Sequence, residues 1–513
     1  MCGSMRNRAV FALLLTATAL NADWLTFGGD PQRSGYQRRE DYITQSNVAK
    51  LRLEWKMKLD NQPKELTSLT VPVIAATMTM PGGFKDYVVV AGSGDTLFAI
   101  DPDTQKLYWS RKFEAEGAPR SRPDWLCPAG LNATPVIDKA NRTVFLITSD
   151  GKLRAVNLLN GEDRFPPTPF VPPFSKNWSL NLVDGVVYTT VSQGCNGAKS
   201  AVYAMDVKDP KRPVTSFLST TTGGAGIWGR AGAAIGFSGR VYAETGDGPY
   251  DPPNGKYADT FLGLTPRELK LADFYTPANR AWITRKDLDM GCISPLVFRF
   301  KGREIVAGGG KEGVLYLLDG ASLGGEDKRT PLYRSNLITN EQVDFAGRGF
   351  WGVLSTYEDS DGTRWLLAPA WGPPAASAPK FPLSYGDTPN GSIMAFKIQE
   401  VNGKIEPVAA WNSLNMSVPE PVVIANGIVF ALSNGENINQ VDQEGRLLST
   451  KFRAENPAGN AVLYALDAKT GKVLYSSGKL IPGWTHFSGL ALANGRLYVV
   501  THDSTIYAFS SPE

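Results

Sequence analysis

The sequence predicts an all-β, eight-bladed β-propeller, and three observations carry that prediction. A short motif, clearest as LYALDAKTGKVLY at 463–475, recurs eight times along the chain. Its copies follow one another at intervals of roughly 43 to 78 residues, which suits four-stranded units with loop insertions. The 513 residues include 52 glycines and 35 prolines, as expected of a turn-rich chain of short strands.

Each copy of the motif is expected to form a hairpin. In the clearest copy, residues 463–466 alternate in polarity, Asp467 and Thr470 can hydrogen-bond the turn, and Gly471 can supply a positive φ. The other copies are less regular: LFAIDPDTQKLYW (97–109), LRAVNLLNGEDRF (153–165), VYAMDVKDPKRPV (202–214), FLGLTPRELKLADF (261–274), LYLLDGASLGG (315–325), IMAFKIQEVNGKIEPVAAW (393–411) and IYAFSS (506–511).

A second hairpin precedes each copy, and Asn494-Gly495 is its strongest turn signal. These pairs predict the inner strands of successive blades within 71–101, 133–157, 180–206, 233–252, 294–319 and 420–440. Two insertions interrupt the pattern. The first, 368–392, is rich in Pro, Ala and aromatic residues, and its length indicates a functional or disordered loop. The second, 441–460, is polar.

The last copy lacks its outer strand, and the segment LRLEWKMKL (51–59) near the start has the missing pattern. It alternates in polarity and carries Trp55 where Trp109 and Trp411 stand in other copies. We therefore expect this N-terminal strand to complete the C-terminal blade. Such closure removes the exposed edges that an open sheet would leave.

Residues 1–22 have the pattern of a secretory signal peptide, with Arg6 and Arg8 before the apolar core 9–20. That core is too short to span a bilayer, so no transmembrane segment is expected. We expect the propeller to occupy residues 23–513 and to be periplasmic or secreted. The net charge of +3 gives no reason to expect nucleic acid or an anionic membrane as a partner.

The few cysteines and histidines limit the chemistry. No CxxCH motif occurs, so covalently bound haem is not expected. Two histidines, His486 and His502, give little support for a His-rich metal site or a His-based triad. The exported chain keeps Cys127, Cys195 and Cys292, an odd number that allows one disulfide and one buried thiol, or no pairing.

The eight repeats, closed by an N-terminal strand, resemble the pyrroloquinoline-quinone (PQQ) repeat propellers of the quinoprotein alcohol dehydrogenase-like superfamily. The resemblance covers essentially all of residues 23–513. It embraces two functional classes, the quinoprotein alcohol dehydrogenases and non-catalytic propellers such as the outer-membrane assembly lipoprotein. Because one fold hosts both classes, the choice depends on the site.

In the dehydrogenases the quinone lies on the propeller axis, stacked on a tryptophan, with Ca²⁺ at its oxygens and an aspartate as general base. The resemblance implies that Trp228, in GIWGRAGAAIGFSGRVYAETGDG (226–248), is the stacking tryptophan and that Asp247 stands at the calcium-ligand position. It implies that Lys311, in GGKEGVLYLLD (309–319), contacts the quinone. In TPANRAWITRKDLD (276–289), Asp287 and Asp289 are the candidates for the catalytic base.

Other positions depart from the family pattern. The adjacent cysteine pair falls on Leu126 and Cys127, so a disulfide between neighbouring residues cannot form. The quinone-binding arginine falls near Asn132, which is the candidate cofactor-binding residue there. The second calcium ligand, a glutamate, falls at Cys195 or Asn196.

Each candidate also has an ordinary structural interpretation. Trp228 could pack in the core, Asp247 could serve a tight turn between two glycines, and Lys311 could be solvated. Asp287 and Asp289 could belong to a surface loop. For the cysteines near the axis we favour a disulfide between Cys127 and Cys195 in neighbouring blades; a soft-metal site of all three cysteines is the alternative.

Two functions follow from the resemblance. In the first, the chain is a PQQ- and Ca²⁺-dependent dehydrogenase that oxidises an alcohol or sugar and passes electrons to a separate acceptor. In the second, it is a non-catalytic propeller that binds a protein partner or serves as an assembly scaffold.

Overall fold

A computed structural model describes residues 22–512 of the chain. It is an eight-bladed β-propeller, as predicted, in which each blade is an antiparallel sheet built around four strands. The predicted signal peptide, residues 1–22, lies outside the described part of the chain except for Ala22. Within residues 22–512, no helix combines the length and apolar character needed to cross a membrane.

Blades 1 to 4 follow the predicted order, and blade 3 has its first strand in two pieces. Their strands are Val73–Met80, Gly83–Gly92, Thr96–Asp101 and Lys106–Lys112 in blade 1; Val136–Asp138, Thr143–Ile147, Lys152–Asn157 and Asp163–Pro169 in blade 2; Lys176–Asn177 with Asn181–Val183, Val186–Ser192, Ala201–Asp206 and Val214–Leu218 in blade 3; and Ala234–Ile235, Val241–Glu244, Phe261–Leu264 and Leu271–Tyr275 in blade 4. A small hairpin, Tyr250–Asp251 with Lys256–Tyr257, extends from blade 4.

Blades 5 to 8 complete the ring, and blade 6 also has a divided first strand. Their strands are Leu296–Phe300, Arg303–Gly308, Tyr316–Asp319 and Tyr333–Arg334 in blade 5; Gly349–Phe350 with Ser355–Glu358, Arg364–Trp371, Gly391–Val401 and Lys404–Asn412 in blade 6; Val423–Ala425, Ile428–Ser433, Val462–Asp467 and Val473–Ser476 in blade 7; and Ala491–Ala493, Arg496–Val500 and Thr505–Ser510 in blade 8. Leu383–Ser384 joins the edge of blade 6, and Ile293–Ser294 pairs with Gly352–Val353.

Helical structure is sparse among the described residues. Two α-helices, Arg280–Arg285 and Thr450–Glu455, each span 6 residues. Three 3₁₀ turns span Val48–Lys50, Cys195–Gly197 and Pro252–Asn254. Both α-helices lie in insertions between or within blades, and the second occupies the polar insertion 441–460.

The N-terminal strand Arg52–Lys58, here called the closing strand, completes blade 8. It pairs antiparallel with Thr505–Ser510, so the order across this sheet places the first strand of the chain beside the last. Trp55 is 5% exposed and lies opposite Ala508. The predicted closure is therefore present, and the two edges that an unclosed chain would expose are paired with each other.

The turn of the clearest repeat has the predicted chemistry. The Asp467 carboxylate accepts hydrogen bonds from the backbone N–H of Lys469 and Thr470 and from the Thr470 hydroxyl. Gly471 has φ +75°, a value that glycine adopts at little cost. This turn also receives the neighbouring blade, because Trp411 of blade 6 donates from its indole nitrogen to the Ala468 carbonyl at 2.9 Å.

Blade 1 docks onto blade 2 in the same way. Trp109 donates to the Leu158 carbonyl at 3.0 Å, and its ring lies against Gly161, which has φ +73°. A methyl group on Gly161 would meet the Trp109 ring at 2.7 Å. The glycine of the motif thus serves two purposes, since it allows the turn and leaves room for the tryptophan.

We expect Gly161→Ala to destabilise the protein by about 2–5 kcal/mol. Left-handed backbone with a side chain costs about 1–2 kcal/mol, and the clash with Trp109 adds about 1–3 kcal/mol. Gly302→Ala is the matched control, because Gly302 has φ +79° but open space around its missing side chain. Urea unfolding of both variants measures the difference. Equal losses would show that Trp109 moves aside freely.

Residues 22–50 are here called the N-terminal segment; residues 24–37 lie at the axis of the ring, whereas Val48–Lys50 contact Val473–Ser476, the outer strand of blade 7. Residues 24–37 hydrogen-bond all eight blades, and at least one bond to each blade falls on its first strand. The bonds join Trp24 to Ile74, Leu25 to Ile137, Pro31 to Asn181, Gln32 to Ile235 and to Val297, Ser34 to Thr356, Gly35 to Ile424, and Gln37 to Leu492. Arg33 is fully buried in this segment.

Candidate functional site

A cavity of about 300 Å³ opens at the axis of the propeller. Its polar lining follows the repeat, because Asp247, Lys311 and Glu436 each stand three residues after the second strand of blades 4, 5 and 7. Other lining residues, including Lys176 and Trp228, lie at or just before the start of a first strand. First and second strands are antiparallel, so all these positions share one face of the ring.

The N-terminal segment reaches the opposite face. Glu40 accepts a hydrogen bond from Gly495 N–H, and its carbonyl accepts one from the Asn426 side chain. Both partners lie in turns that join a first strand to a second strand. The cavity therefore has its mouth at one face, while the N-terminal segment occupies the axis toward the other.

Three aspartates converge in the cavity and form the carboxylate cluster: Asp247, Asp287 and Asp289. One oxygen of each lies within 4.8 Å of the others. Asp289 is buried at the base of the cluster, whereas Asp247 and Asp287 are exposed to the cavity. The structure thus brings together the predicted metal ligand and both candidates for the catalytic base.

Lys311 joins this cluster through its ammonium group. Its Nζ lies 2.7 Å from Asp289 Oδ2 and 2.8 Å from Asp287 Oδ1, and the residue is only 5% exposed. The solvated interpretation of Lys311 is therefore wrong, because two carboxylates and a surrounding wall hold its charge inside. Asp247 does not share in this pairing, and its side chain makes no hydrogen bond to another of the described residues.

Trp228 connects the cluster to an aromatic wall. Its indole nitrogen donates to Asp289 Oδ1 at 2.8 Å. Its ring meets the Trp351 ring edge-on at 5.3 Å, and Trp351 stacks on Trp371 at 4.5 Å. Lys311 lies 5.2 Å from the centre of the Trp228 ring, within range of a cation–π contact. Trp228 both packs against its neighbours and presents part of its surface to the cavity.

Burial and charge set the protonation of the cluster. Burial raises the pKa of Asp289 to about 6, against the opposing attraction of Lys311. Burial also opposes the charge on Lys311, but Asp289 and Asp287 outweigh it and raise the pKa of the lysine. Asp289 is therefore the member of the pair that titrates near neutral pH. Burial and then the Asp287 charge raise the pKa of Asp247.

The opposite wall of the cavity carries a second charged group. Glu436 Oε2 lies 2.8 Å from His486 Nδ1, and Glu436 Oε1 accepts a hydrogen bond from Arg453 Nη2 at 3.1 Å. Although burial disfavours the charge on Glu436, His486 and Arg453 together hold its pKa below the usual range. Lys176 lies on the same cavity, 5.2 Å from the centre of the Trp178 ring.

Cys127 and Cys195 form a disulfide, as predicted. It ties the loop after blade 1 to the turn after the second strand of blade 3, and Leu126 beside it lines the cavity. The soft-metal alternative is wrong, because two of its three thiols are consumed in this bond. Cys292 is a buried free thiol next to the carbonyls of Asp289 and Phe350.

The remaining two sequence candidates lie outside the cavity lining. The Asn132 side chain donates to the Gly130 carbonyl at 2.7 Å, and it does not line the cavity, so its assignment as a cofactor contact is not supported by its position. Asn196 accepts a hydrogen bond from Arg120 N–H and donates to the Pro173 carbonyl. These contacts hold local loops, because the 3₁₀ turn at Cys195 directs Asn196 away from the axis.

Several lining residues were not predicted from the sequence to belong to the site: Lys176, Trp178, Trp351, Trp371, Glu436, Arg453 and His486. One signal was available for Glu436, since it occupies the same place after a second strand as Asp247 and Lys311. Trp371 ends the strand Arg364–Trp371, and residues 368–371 of that strand were predicted to belong to the insertion 368–392. No comparable signal marks Arg453, which lies in the helix of the polar insertion.

Comparisons with known proteins agree with this architecture. A family model for PQQ, described as "Glucose/ethanol/alcohol dehydrogenase, beta-propeller domain", matches residues 24–196. The sequence matches none of the curated proteins with which it was compared.

Solved structures share the fold at low identity. A quinohemoprotein alcohol dehydrogenase from Comamonas testosteroni has a TM-score of 0.58 and 15% identity, over 95% of this chain and 80% of that chain. A europium-containing methanol dehydrogenase has a TM-score of 0.61 and 14% identity, over 95% and 98%. A quinohemoprotein alcohol dehydrogenase from Pseudomonas putida HK5 has a TM-score of 0.60 and 15% identity, over 95% and 80%.

Proposed function

From a PQQ-type eight-bladed propeller with this axial cavity, we propose an oxidoreductase that binds a planar quinone of the PQQ class and a divalent cation and oxidises an alcohol or sugar. One observation carries the proposal. The carboxylate cluster, Lys311 and the accessible part of Trp228 lie together in a single cavity on the axis. A cation, a flat anionic ring and a hydroxyl group can all be held there by residues of suitable chemistry.

The carboxylate cluster fits a hard cation. Calcium prefers oxygen ligands, and the cluster places carboxylate oxygens within one small volume, where Asp247 would bind the ion and Asp287 and Asp289 would add negative charge beside it. Lys311 offsets one of the three negative charges, which leaves an excess that matches a divalent ion. Asp247, whose carboxylate has no hydrogen-bond partner among the described residues, is the ligand most free to bind. The family's further glutamate ligand falls at Cys195, whose sulfur is in the disulfide, or at Asn196.

The cavity also fits a flat anionic ring. Trp228 offers an aromatic surface, and Lys311 and Lys176 offer positive charge to carboxylates at the ring edge. When bound, the quinone would supply the two-electron acceptor that this chain lacks. No CxxCH motif is present for covalent haem, so electrons would pass on to a separate acceptor.

The two candidate bases differ in their freedom to accept a proton. Asp289 is saturated, because Trp228 donates to one oxygen and Lys311 contacts the other. Asp287 is exposed to the cavity, and only its Oδ1 is engaged, by Lys311. We assign Asp287 Oδ2 as the general base for the substrate hydroxyl. Asp289 is then a positioning residue that fixes Lys311 and Trp228.

A protein-binding or scaffold propeller is the second candidate function. It is favoured by the departures from the dehydrogenase pattern: the adjacent cysteine pair and the quinone-binding arginine are both missing. For either function we propose a periplasmic or secreted location. The disulfide between Cys127 and Cys195 supports that location, because such bonds persist in oxidising compartments.

Reconstitution tests the enzymatic proposal. We expect the purified protein to gain a quinone absorption band with PQQ and Ca²⁺ and to reduce a dye with ethanol or a sugar as donor. Asp247→Ala should remove the dependence of PQQ affinity on Ca²⁺. Asp287→Asn should retain binding and lose roughly 10²–10⁴-fold in turnover, the usual contribution of a general base.

Asp60→Ala is the control, because Asp60 is exposed and lies outside the cavity lining. It should behave as the wild type in every assay. Absence of a quinone band at saturating PQQ and Ca²⁺ would refute the enzymatic proposal and favour the protein-binding alternative.

A further inference from the structure

Lys176 is a buried cation without a carboxylate partner. It is 6% exposed and lines the axial cavity. Among residues 22–512, its ammonium group makes one hydrogen bond, a long one of 3.4 Å to the Trp125 carbonyl, and no carboxylate lies within 4.0 Å of it. Burial lowers its pKa to about 8, and Asp124 offsets only part of that effect. A buried ammonium group that faces a cavity and has unused hydrogen-bond donors favours the binding of an anion.

Arg453 is a second buried cation that lines the same cavity, and one of its donors has no partner among residues 22–512. It is 5% exposed, and its Nη2 and Nε are engaged by Glu436 and by the Asn437 carbonyl. Its Nη1 is buried and has no hydrogen-bond partner within residues 22–512. An arginine donor without a partner in the interior is costly, and a ligand oxygen would satisfy it once the guanidinium turns toward the cavity.

Trp125 contacts both cations. Lys176 bonds the Trp125 carbonyl, and the Arg453 guanidinium lies 5.1 Å from the centre of the Trp125 ring. The loop that carries Trp125 is fastened by the disulfide of Cys127, two residues on. Lys176 from blade 3 and Arg453 from the insertion of blade 7 therefore contact the same tethered residue, Lys176 at its carbonyl and Arg453 at its indole ring.

We propose that Lys176 and Arg453 form a carboxylate-binding subsite at the wall of the cavity that lies away from the carboxylate cluster. The proposal deepens the function proposed above and rests on it for the identity of the ligand. The ligand would carry its carboxylate to this wall while its reacting end faces Asp287. The carboxylate can belong to the quinone itself or to the substrate, which would then be a hydroxy acid and not a neutral alcohol.

The charge and the walls favour a carboxylate over a phosphate. Arg453 already shares the charge of Glu436, so Lys176 supplies the one uncompensated positive charge. A single net charge matches a monoanion better than a dianion. The surrounding side chains of Trp125, Trp178 and Ile438 are apolar surfaces that suit the carbon skeleton of an organic acid.

Binding of benzoate to the full chain without PQQ tests the subsite. Tryptophan fluorescence should report benzoate binding and at least tenfold weaker binding of neutral benzamide. Lys176→Gln and Arg453→Gln should each weaken benzoate at least tenfold, whereas Lys199→Gln, an exposed lysine outside the cavity lining, should not. Equal benzoate affinity in the wild type and in both cavity variants would overturn the proposal, even if PQQ binds.

The wild-type protein provides a test that needs no substitution. The unliganded Lys176 has its pKa lowered to about 8, so the charged form that binds the anion is depleted above that pH. Benzoate affinity should be constant between pH 6 and 7 and fall about tenfold per pH unit above pH 8. Asp124 is the charged group that acts on Lys176, and Asp124 stays ionised throughout this range. A flat profile to pH 10 would contradict the assignment of Lys176.

Two further measurements identify whether the carboxylate belongs to the quinone or to the substrate. If it belongs to the quinone, Lys176→Gln should weaken PQQ and leave the affinity for PQQ trimethyl ester unchanged. If it belongs to the substrate, the holoprotein should prefer 4-(hydroxymethyl)benzoate to benzyl alcohol, and Lys176→Gln should abolish that preference. Absence of any PQQ binding would refute the enzymatic proposal alone, because the benzoate measurements stand without it.

Discussion

Replacement of Lys311 by Met is expected to destabilise the protein by about 3–5 kcal/mol at pH 8, the cost of leaving a buried charge without its partner. The charge left behind is Asp289, which is 1% exposed and loses its contact at 2.7 Å. Urea unfolding measures the loss. Adding Asp289→Asn to the same chain should restore most of the stability, since the uncompensated charge is then removed.

The loss should depend on pH with a definite sign. In the folded wild type the pKa of Asp289 is raised to about 6, above the ordinary value of about 3.9. A raised carboxyl pKa means that the folded state holds the proton more tightly, so this group's contribution to stability falls as the pH rises through the folded pKa. Without Lys311 the pKa of Asp289 rises further. The Lys311→Met variant should therefore regain stability as the pH falls from 8 to 5.

Lys301→Met is the control for that series. Lys301 pairs with Glu400 on the surface, where side-chain exposures of 58% and 42% leave both groups in water. Surface pairs contribute little, so this variant should unfold nearly as the wild type at every pH. If Lys311→Met were equally stable and equally insensitive to pH, Asp289 would not carry a charge in the folded protein.

A length-preserving replacement of the closing strand, residues 52–58, by a Gly-Ser sequence is expected to open the ring. Loss of Trp55 burial alone costs about 3–5 kcal/mol, and the packing of Leu53 and Met57 and the pairing with 505–510 are lost in addition. The exposed edge of blade 8 is then free to pair with other molecules. Light scattering should detect oligomers, and hydrogen exchange should accelerate in residues 505–510.

The same replacement in Val473–Ser476 is the matched control. This strand is the outer strand of blade 7, but it continues directly from its own hairpin and does not join the chain ends. Its variant also exposes a strand edge, but the ring stays closed, so hydrogen exchange should accelerate in residues 462–467 and stay unchanged at 505–510. A closing-strand variant with unchanged exchange at 505–510 would show that the ring is held shut by other contacts.

Much of the fold could be predicted because the repeat combines local signals that agree with one another. Alternation, the turn around Asp467 and the glycine at 471 all specify the same hairpin, and the missing outer strand of the last copy required a partner like the segment around Trp55. The packing of each blade against its neighbours then followed from the closed ring of similar blades. The boundary at 368–371 was wrong, because Pro and Ala before Trp371 indicated a loop whereas pairing with blade 6 makes these residues strand.

The site could be predicted only where it follows the repeat. Asp247 and Lys311 stand at equivalent places in neighbouring blades, and the family resemblance singled out both of them, as well as Trp228. Lys176 and Arg453 could not be found, because one lies in a two-residue strand and the other in an insertion helix. Their proximity depends on the closed ring, which brings together side chains that are far apart in the sequence.

The N-terminal segment has a consequence for the order in which the molecule can form. Gln37 bonds Leu492 across a separation of 455 residues, and the closing strand meets a partner about as distant. Contacts of such long range are slow to form, because the chain between them must be brought together first. The ring can therefore close only after blade 8 has formed, whereas Trp24 and Ile74 are near in the sequence and can pair as soon as blade 1 forms. The closing strand precedes every blade in the sequence, yet it is among the last elements to reach its final position.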